Sequence, residues 1–514
     1  MSKKPHNFLY RAFWLLLLAT LLAVGGSYWL SRQTLFATWQ VKLFTPLGDL
    51  LPTEVIASAE SDSITEEPLD KLPTLPEEEL PLQEEPLDTL PPAEVADSLS
   101  VRKAPVTSGG FSDYTASGDA IERIRRGLAS GRYYIAMLGD SFIEGDIFVG
   151  PLRNALQSRY GGRGVGYVAL TSKTARFRQS VQHRFGGNWK SSDLAHQRRG
   201  VRYTITEQVD AATQGCHVTY KMPTSPSNLA RVDYATLLYQ ADSAVLLSCQ
   251  INEAQRDTIT LPGKRGTLHR HTFRIPEGIH SLALRVEGDN AQSDSLLMHG
   301  IFLDGEEGVS VDNLSLRGSS GIQLRQISRA LTQQMHSLRP YQLIILQYGI
   351  NVIDPQQPND KYHWYYRRME AALKHLQGLY PQAIIVICSV SDRASRLDDG
   401  SIHTLPAVGY IWEHQRGLAQ RYGCLFWDTF GAMQEAGGIV GFVQRGQAAK
   451  DYTHLNFAGG ATLAKAFVRD LLERPPTLPQ ESAQEITRKA SEAKQDEKRV
   501  AESEQERQPE RSVE

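Results

Sequence analysis

The sequence predicts an α/β protein whose chain is interrupted by an all-β segment. Short apolar strands alternate with amphipathic helices over residues 111–176 and again over 305–474, the order that builds a parallel sheet. Between them, over 177–304, short stretches have an apolar residue at every second position with polar residues between, and Leu282, Leu284 and Val286 illustrate the apolar positions. Short strands separated by turn residues are typical of an antiparallel sandwich.

The α/β stretches each contain several predicted elements. In the first, helices are expected at 121–128 and 148–160, with a strand at 133–138 between them. In the second, strands are expected at 342–347, 383–390 and 424–428, and helices at 322–335, 362–379, 407–422 and 461–472. The strands expected in the β segment are 216–222, 235–239, 244–250 and 267–275.

The two ends of the chain differ in composition from the middle. Residues 1–11 are basic and precede an apolar run, 12–30, that is long enough to cross a membrane. This pattern predicts an anchor with a cytoplasmic N-terminus, although a cleaved signal peptide is an alternative. Residues 31–110 include a Pro/Glu-rich spacer with a repeated Glu-Glu-Pro-Leu-Asp motif. Residues 475–514 are charged and nearly free of bulky apolar residues, which predicts a tail that is either disordered or a solvated helix.

Overall composition excludes some function classes. The net charge is −3, from 55 basic and 58 acidic residues, so no basic field indicates a nucleic-acid partner. The four cysteines show no spacing that suits zinc. Cys388 and Cys424 are expected to be buried in strands, whereas Cys216 and Cys249 could be free thiols or form a disulfide.

Ser141 lies in a Gly-Asp-Ser turn between a predicted strand and a predicted helix. The carboxyl ends of parallel strands are where α/β folds place their functional sites. A serine at this point is a candidate nucleophile, although an ordinary turn with an N-capping serine would give the same four letters.

Asp451 and His454 are separated by two residues just before the last predicted helix. A serine hydroxyl needs a base to remove its proton, and histidine is the usual one because its pKa lies near neutrality. A carboxylate can hold the imidazole in the required tautomer. A surface histidine near a helix start is the alternative reading.

Gly321 and Asn351 supply a further requirement of acyl transfer. Gly321 ends an Arg-Gly-Ser-Ser-Gly turn, and Asn351 follows a buried strand. A backbone N–H and a side-chain amide at these points could stabilise the oxyanion of a tetrahedral intermediate. Simple turns also favour Gly and Asn.

Taken together and in this order, these blocks resemble those of the SGNH/GDSL hydrolase family. In that resemblance Ser141 is the nucleophile, Asp451 and His454 complete the triad, and Ser141, Gly321 and Asn351 form the oxyanion hole. It covers roughly 111–176 and 305–473. It implies a three-layer α/β/α flavodoxin-like core that hydrolyses an ester with no cofactor and no metal. Two departures are Phe142 after the serine and Val352 after Asn351.

The β segment between the first two blocks is similar to that of peptidoglycan O-acetylesterases, which carry an inserted carbohydrate-binding-like sandwich. The stretch Gly-Asp-Ser-Phe-Ile-Glu-Gly-Asp from Gly139 also resembles that subgroup. The expected function is therefore removal of O-acetyl groups from a glycan, most simply peptidoglycan, outside the inner membrane. Its expected partners are the O-acetylated glycan and, through 12–30, the membrane. An O-acetyltransferase using the same triad and a non-catalytic wall-binding protein are alternatives.

Overall fold

The structure is a computed structural model that describes residues 109–287, 295–355 and 361–478. The strands, in chain order, are β1 (Phe111–Asp113), β2 (Tyr133–Gly139), β3 (Gly166–Val168), β4 (Gln182–Gly186), β5 (Lys190–Asp193), β6 (Gln208–Ala211), β7 (His217–Lys221), β8 (Val232–Ala241), β9 (Val245–Ile251), β10 (Asp257–Leu261), β11 (His269–Ile279), β12 (Ser281–Glu287), β13 (Leu296–Asp304), β14 (Val309–Ser315), β15 (Leu343–Gln347), β16 (Ile384–Cys388), β17 (Ala394–Arg396), β18 (Ile402–Thr404) and β19 (Leu425–Trp427). The α-helices are α1 (Ala120–Ala129), α2 (Val149–Tyr160), α3 (Arg329–Met335), α4 (His363–Leu379), α5 (Pro406–Arg421), α6 (Thr429–Glu435), α7 (Gly438–Gln444) and α8 (Phe457–Leu472).

The α/β core is built on a six-stranded sheet with the order β1-β19-β16-β15-β2-β14. All neighbours are parallel except β1, which pairs antiparallel with β19. Counting only the parallel strands along the chain gives the order 2-1-3-4-5, which is that of flavodoxin-like sheets. β15 and β16 are buried along their whole length, as expected for central strands covered by helices on both faces. The mixed α/β fold expected from the sequence is therefore confirmed.

The β region between α2 and β14 contains two antiparallel sheets. One has the order β10-β9-β12-β7-β4, and the other has the order β11-β8-β13-β6-β5 with β3 pairing β13. Buried side chains of both sheets, such as Val218 and Leu284 from the first and Tyr239 and Met298 from the second, belong to one hydrophobic cluster. Because β3 joins this region, it begins before residue 177, where the sequence placed its start.

The β region also packs directly against the α/β core. A second hydrophobic cluster contains Tyr203 and Phe302 from the β region together with Ile344 and Leu346 of β15. The backbone N–H of Ser328, which caps α3, donates to the carbonyl of Tyr203 at 2.8 Å. Removing the β region would therefore expose apolar surface of the core.

Several elements differ from the sequence-based expectation. The single helix expected at 322–335 is a 3₁₀ helix, Ile322–Gln326, followed by α3, because Ile327 has an extended backbone and Ser328 starts a new helix with its side-chain cap. The predicted tail begins inside the fold, since the backbone of Thr477 bonds to Phe111 and Asp113 of β1. All four cysteines are buried and free.

The transmembrane helix expected from the sequence needs correction. Across 109–287, 295–355 and 361–478, no helix is long and apolar enough to cross a membrane. The apolar run at 12–30, like residues 1–11, the spacer up to residue 108 and the tail from 479, lies outside the residues that the structure describes.

Candidate active site

The nucleophile turn follows β2 at the carboxyl end of the parallel sheet. Gly139 ends the strand at a position where a Cβ would lie 2.8 Å from the carbonyl oxygen of Gln347, so a side chain there would strike β15. The Phe142 N–H then donates to the Asp140 carboxylate at 2.9 Å, which closes the turn. Ser141 is 5% exposed. The turn therefore presents the serine hydroxyl from a tightly restrained backbone.

A buried ionic network fixes the far side of this turn. The Asp146 carboxylate accepts hydrogen bonds from Arg153 at 3.0 Å and from the Asn313 amide of β14 at 2.8 Å, and it pairs with Arg178 at 3.0 Å. Although burial acts to raise it, the two guanidinium groups hold the pKa of Asp146 well below its usual range. Asp146 therefore stays ionised and links the nucleophile turn to the sheet and to the β region.

The loop that carries Asp451 and His454 is held by backbone hydrogen bonds on both sides. The Ala449 N–H donates to the His454 carbonyl at 2.8 Å, and the Ala394 N–H of β17 donates to the Tyr452 carbonyl at 3.1 Å. The Asn456 side chain caps α8 directly after the loop. Tyr452 has a φ of 52°, which is a strained backbone value for a residue other than glycine. The hydrogen bonds on both sides of the loop hold it in this conformation.

Ser141, His454 and Asp451 form a continuous chain of hydrogen bonds in this structure. The Oγ of Ser141 lies 3.2 Å from Nε2 of His454, and Nδ1 of His454 lies 2.7 Å from Oδ2 of Asp451. The second oxygen of Asp451 accepts the backbone N–H groups of Thr453 and His454. The three residues predicted from two separate sequence blocks thus meet in the order that a serine–histidine–aspartate mechanism requires.

The electrostatics of the site keep Asp451 ionised. Partial burial acts to raise its pKa, but hydrogen bonds from the His454 side chain and from the two backbone N–H groups lower it overall. An ionised carboxylate at Nδ1 favours the tautomer in which Nε2 is free to take a proton from Ser141.

The two other predicted residues, Gly321 and Asn351, converge on Ser319 of the intervening turn. The Gly321 N–H donates to the Ser319 hydroxyl at 3.2 Å, and the Asn351 amide donates to the Ser319 carbonyl at 3.1 Å. Gly321 has a φ of 82°, and an added Cβ would lie 2.8 Å from the Tyr348 ring. The backbone here therefore requires glycine. Both donors bond to Ser319 in this structure, and their role toward an oxyanion stays a prediction.

Tyr348 supports this part of the site from behind. Its hydroxyl donates to the Glu207 carboxylate of the β region at 3.1 Å, and its carbonyl accepts from the Gln415 amide of α5 at 2.8 Å. Burial raises the pKa of Glu207 to about 8. A side chain of the β region thus helps to position the loop that carries Asn351.

Sequence reasoning missed several polar residues of the site. Glu144 is buried beside the nucleophile turn and pairs with Arg317 at 2.5 Å. Burial raises the pKa of Glu144, while Arg317 and His454 oppose that rise. Burial likewise raises the pKa of Asp140 to about 7. Asp140 and Glu144 lie in the same sequence motif as Ser141, and Arg317 lies in the same motif as Gly321. Their closeness to these residues in the sequence could have identified them as part of the site. Glu207 gave none, because only the folded chain brings it to Tyr348.

Aromatic side chains are the usual partners on which a sugar ring stacks, but most of those in the β region are core residues. Tyr203, Tyr220 and Tyr239 are buried, and Trp189 and Tyr234 are half-buried. A different aromatic, Phe177, is 37% exposed, and its ring lies so close to Gly145 that an added Cβ would meet it at 2.3 Å.

Among known proteins, this chain is similar to solved structures in its fold. No protein-family model matches the sequence, and no curated protein matches it either. Among solved structures, the chain is similar to a peptidoglycan O-acetylesterase, with 19% identity over 71% of this chain and 98% of the other, and a TM-score of 0.54. A salicylyl-acyltransferase from a tetracycline biosynthetic pathway has a TM-score of 0.24 with 12% identity, covering 58% and 96% of the two chains. A family two carbohydrate esterase from Cellvibrio japonicus has a TM-score of 0.23 with 12% identity, covering 57% and 98%. The last two are too distant to carry an argument. The first shows that this chain shares its fold with an esterase.

Proposed function

We propose that this chain is a serine esterase that removes O-acetyl groups from a glycan, with peptidoglycan as the substrate class. The observation that carries the proposal is the hydrogen-bonded chain from Ser141 through His454 to Asp451 at the carboxyl end of the sheet. The likeness in fold to a peptidoglycan O-acetylesterase supports the choice of substrate class.

The reaction proceeds in two steps. His454 Nε2 takes the proton of Ser141 as its Oγ attacks the acetyl carbonyl carbon, and the carbonyl electrons move onto oxygen. The tetrahedral intermediate collapses, the C–O bond to the sugar breaks, and the sugar oxygen receives the proton from His454. Water then attacks the acetyl-serine, again with His454 as base, and releases acetate and the free Ser141 hydroxyl.

The oxyanion requires donors where its charge develops. We assign this role to the backbone N–H groups of Ser141 and Gly321 and to the amide of Asn351. Because Gly321 and Asn351 bond to Ser319 in the free protein, they exchange these partners for the oxyanion when substrate binds. Hydrogen bonds of catalytic groups commonly reach their final geometry only in the substrate complex.

We further propose that the β region holds the glycan polymer near Ser141. Phe177 supports this role, since its exposed ring lies against the nucleophile turn at Gly145, where a sugar ring could stack on it. Replacing Phe177 by Ala is expected to raise KM for the polymer severalfold and to leave hydrolysis of 4-nitrophenyl acetate within about twofold. An equal loss on both substrates would instead indicate that Phe177 supports the turn.

The test of the function combines labelling with acetate release. Wild-type protein should react with a fluorophosphonate probe and release acetate from O-acetylated peptidoglycan faster than from O-acetylated xylan. Ser141→Ala should abolish labelling and lower kcat by about 10⁴–10⁶. Ser130→Ala, at an exposed serine after α1, is the matched control. A Ser141→Ala variant that keeps a tenth of the activity would contradict the triad. Transfer of acetyl to an added glycan acceptor would identify a transferase.

A further inference from the structure

A cavity of about 670 Å³ lies beside the triad and is lined in part by Asp451. Its lining includes the loop residues Asp451, Tyr452 and Thr453, together with Arg393 and the β17 residue Arg396. Lys450 also lines it. The cavity therefore shares a wall with the residue that orients His454, although the proposed reaction makes no use of it.

The positive groups of this cavity are held in different ways. Arg393 is half-buried and donates to the carbonyls of Ile350 and Ile353 at 3.1 and 2.9 Å, so its side chain is fixed. Arg396 donates to the Gly400 carbonyl at 3.1 Å within the β17–β18 hairpin and is otherwise exposed, as is Lys450.

The charges lining the cavity do not balance. Among the residues that the structure describes, Asp451 is the only carboxylate that lines the cavity, and both of its oxygens already accept hydrogen bonds from its own loop. Burial lowers the pKa of Arg393, and the negative charges of Asp451 and Asp354 oppose that fall. Within the described parts of the chain, no carboxylate lies at ion-pair distance from Arg396 or Lys450. The exposed Asp398 and Asp399 belong to the hairpin turn and do not line the cavity. The cavity thus has a surplus of positive charge.

We propose that this cavity is a binding subsite for a carboxylate of the substrate, next to the sugar that carries the acetyl ester. The inference rests on the proposed esterase function and narrows its substrate class to acidic glycans. Arg396 and Lys450 attract the carboxylate, and Arg393, fixed by its two carbonyl contacts, adds a third positive charge to the lining. Because the subsite adjoins the loop of Asp451, a bound carboxylate anchors the sugar beside Ser141 and favours productive orientation of the ester.

The experiment uses a matched pair of substrates that differ only in charge. One is an O-acetylated disaccharide containing muramic acid with a free lactyl carboxylate, and the other is the same disaccharide with that carboxylate converted to a methylamide. For wild-type protein we expect kcat/KM to be at least about tenfold higher for the acid, which corresponds to about 1.4 kcal/mol. The preference should shrink at 1 M salt, where the screening length is about 3 Å.

The double variant Arg396→Gln/Lys450→Gln should reduce the preference for the acid to within about twofold. The control Arg123→Gln/Lys465→Gln removes the same charge from exposed positions on α1 and α8 and should keep the wild-type ratio. A preference that survives in the double variant, or wild-type protein that hydrolyses acid and amide equally, would overturn the subsite. Loss of all turnover in Ser141→Ala tests the esterase function separately.

A second measurement decides the case in which neither disaccharide is hydrolysed. N-acetylmuramic acid and N-acetylglucosamine are compared as inhibitors of 4-nitrophenyl acetate hydrolysis. The subsite is supported if N-acetylmuramic acid inhibits wild-type protein, N-acetylglucosamine does not, and the double variant is no longer inhibited. This holds even if the natural ester differs from the one tested. Equal inhibition by both sugars, or none by either, contradicts it.

Discussion

Replacing Glu207 by Gln should make the protein more stable at alkaline pH. Burial raises the pKa of Glu207 from 4.5 to about 8 in the folded protein, with the Tyr348 hydrogen bond opposing the rise. Between these values the unfolded chain has lost the proton that the folded protein keeps. Stability therefore falls as pH rises, by about 1.4 kcal/mol for each pH unit. The loss starts near pH 4.5, is complete above pH 8, and amounts to at most about 4–5 kcal/mol.

A glutamine removes this titration and keeps an oxygen that can accept the Tyr348 hydroxyl. Its NH₂ group occupies the place of Oε2, which is buried and has no hydrogen-bond partner in the described structure, so an unmade hydrogen bond costs about 1–3 kcal/mol. The free energy of unfolding of the variant should therefore be equal to or lower than that of wild type near pH 5, and higher than that of wild type near pH 8.5. Urea midpoints from tryptophan fluorescence over pH 5–9 measure the difference, with the exposed Glu473→Gln as control. Parallel curves for wild type and Glu207→Gln would refute the reasoning.

Three further substitutions probe the site itself. Gly321→Ala should destabilise the protein by about 2–4 kcal/mol and lower kcat, because its φ of 82° disfavours alanine and the new Cβ would lie 2.8 Å from the Tyr348 ring; urea unfolding with a parallel acetate assay checks both effects. Asn351→Ala should lower kcat by about 10²–10³ with KM nearly unchanged, and a rise in KM alone would make Asn351 a substrate-binding residue instead. Asp451→Asn should lower kcat by about 10²–10⁴, because an amide no longer holds His454 in the productive tautomer, and a pH–rate profile identical to wild type would argue against that role.

The core and the sequence blocks that contain Ser141, Asp451 and His454 were predictable because their signals are local. β2, the Gly-Asp-Ser turn and α2 follow one another in the sequence, and Asp451 and His454 belong to one loop, so apolar spacing and residue type located each block. The order of the blocks, through their resemblance to the SGNH/GDSL family, was what joined them into one expected site. Glu207 could not be found in this way, since its contact with Tyr348 joins distant parts of the chain. The cationic cavity depends in the same way on the folding of the β17–β18 hairpin against the Asp451 loop.

β14 shows why one core strand escaped prediction. Its sequence, Val-Ser-Val-Asp-Asn-Leu-Ser, has too many polar residues to suggest a buried parallel strand. In the structure Asp312 accepts the Tyr167 N–H and the Tyr341 hydroxyl, and Asn313 donates to Asp146. Buried polar groups are tolerated when such partners are present, but the partners come from elsewhere in the chain. The helix break at Ile327–Ser328 was missed for a related reason, since the Ser328 N–H bonds to Tyr203 of the β region.

The pairing of β2 with β14 has a consequence for how the chain folds. These strands are neighbours in the parallel sheet, from Tyr133 beside Val309 to Gly139 beside Ser315, yet the entire β region lies between them in sequence. Contacts between such distant segments form slowly, because closing the intervening loop costs entropy before any contact is gained. A folded β region brings its two ends together and removes most of that cost. During synthesis β2 leaves the ribosome long before β14, so its unpaired edge waits for the β region to fold. We therefore expect variants that destabilise the β region to aggregate during synthesis at temperatures where the finished protein is still stable.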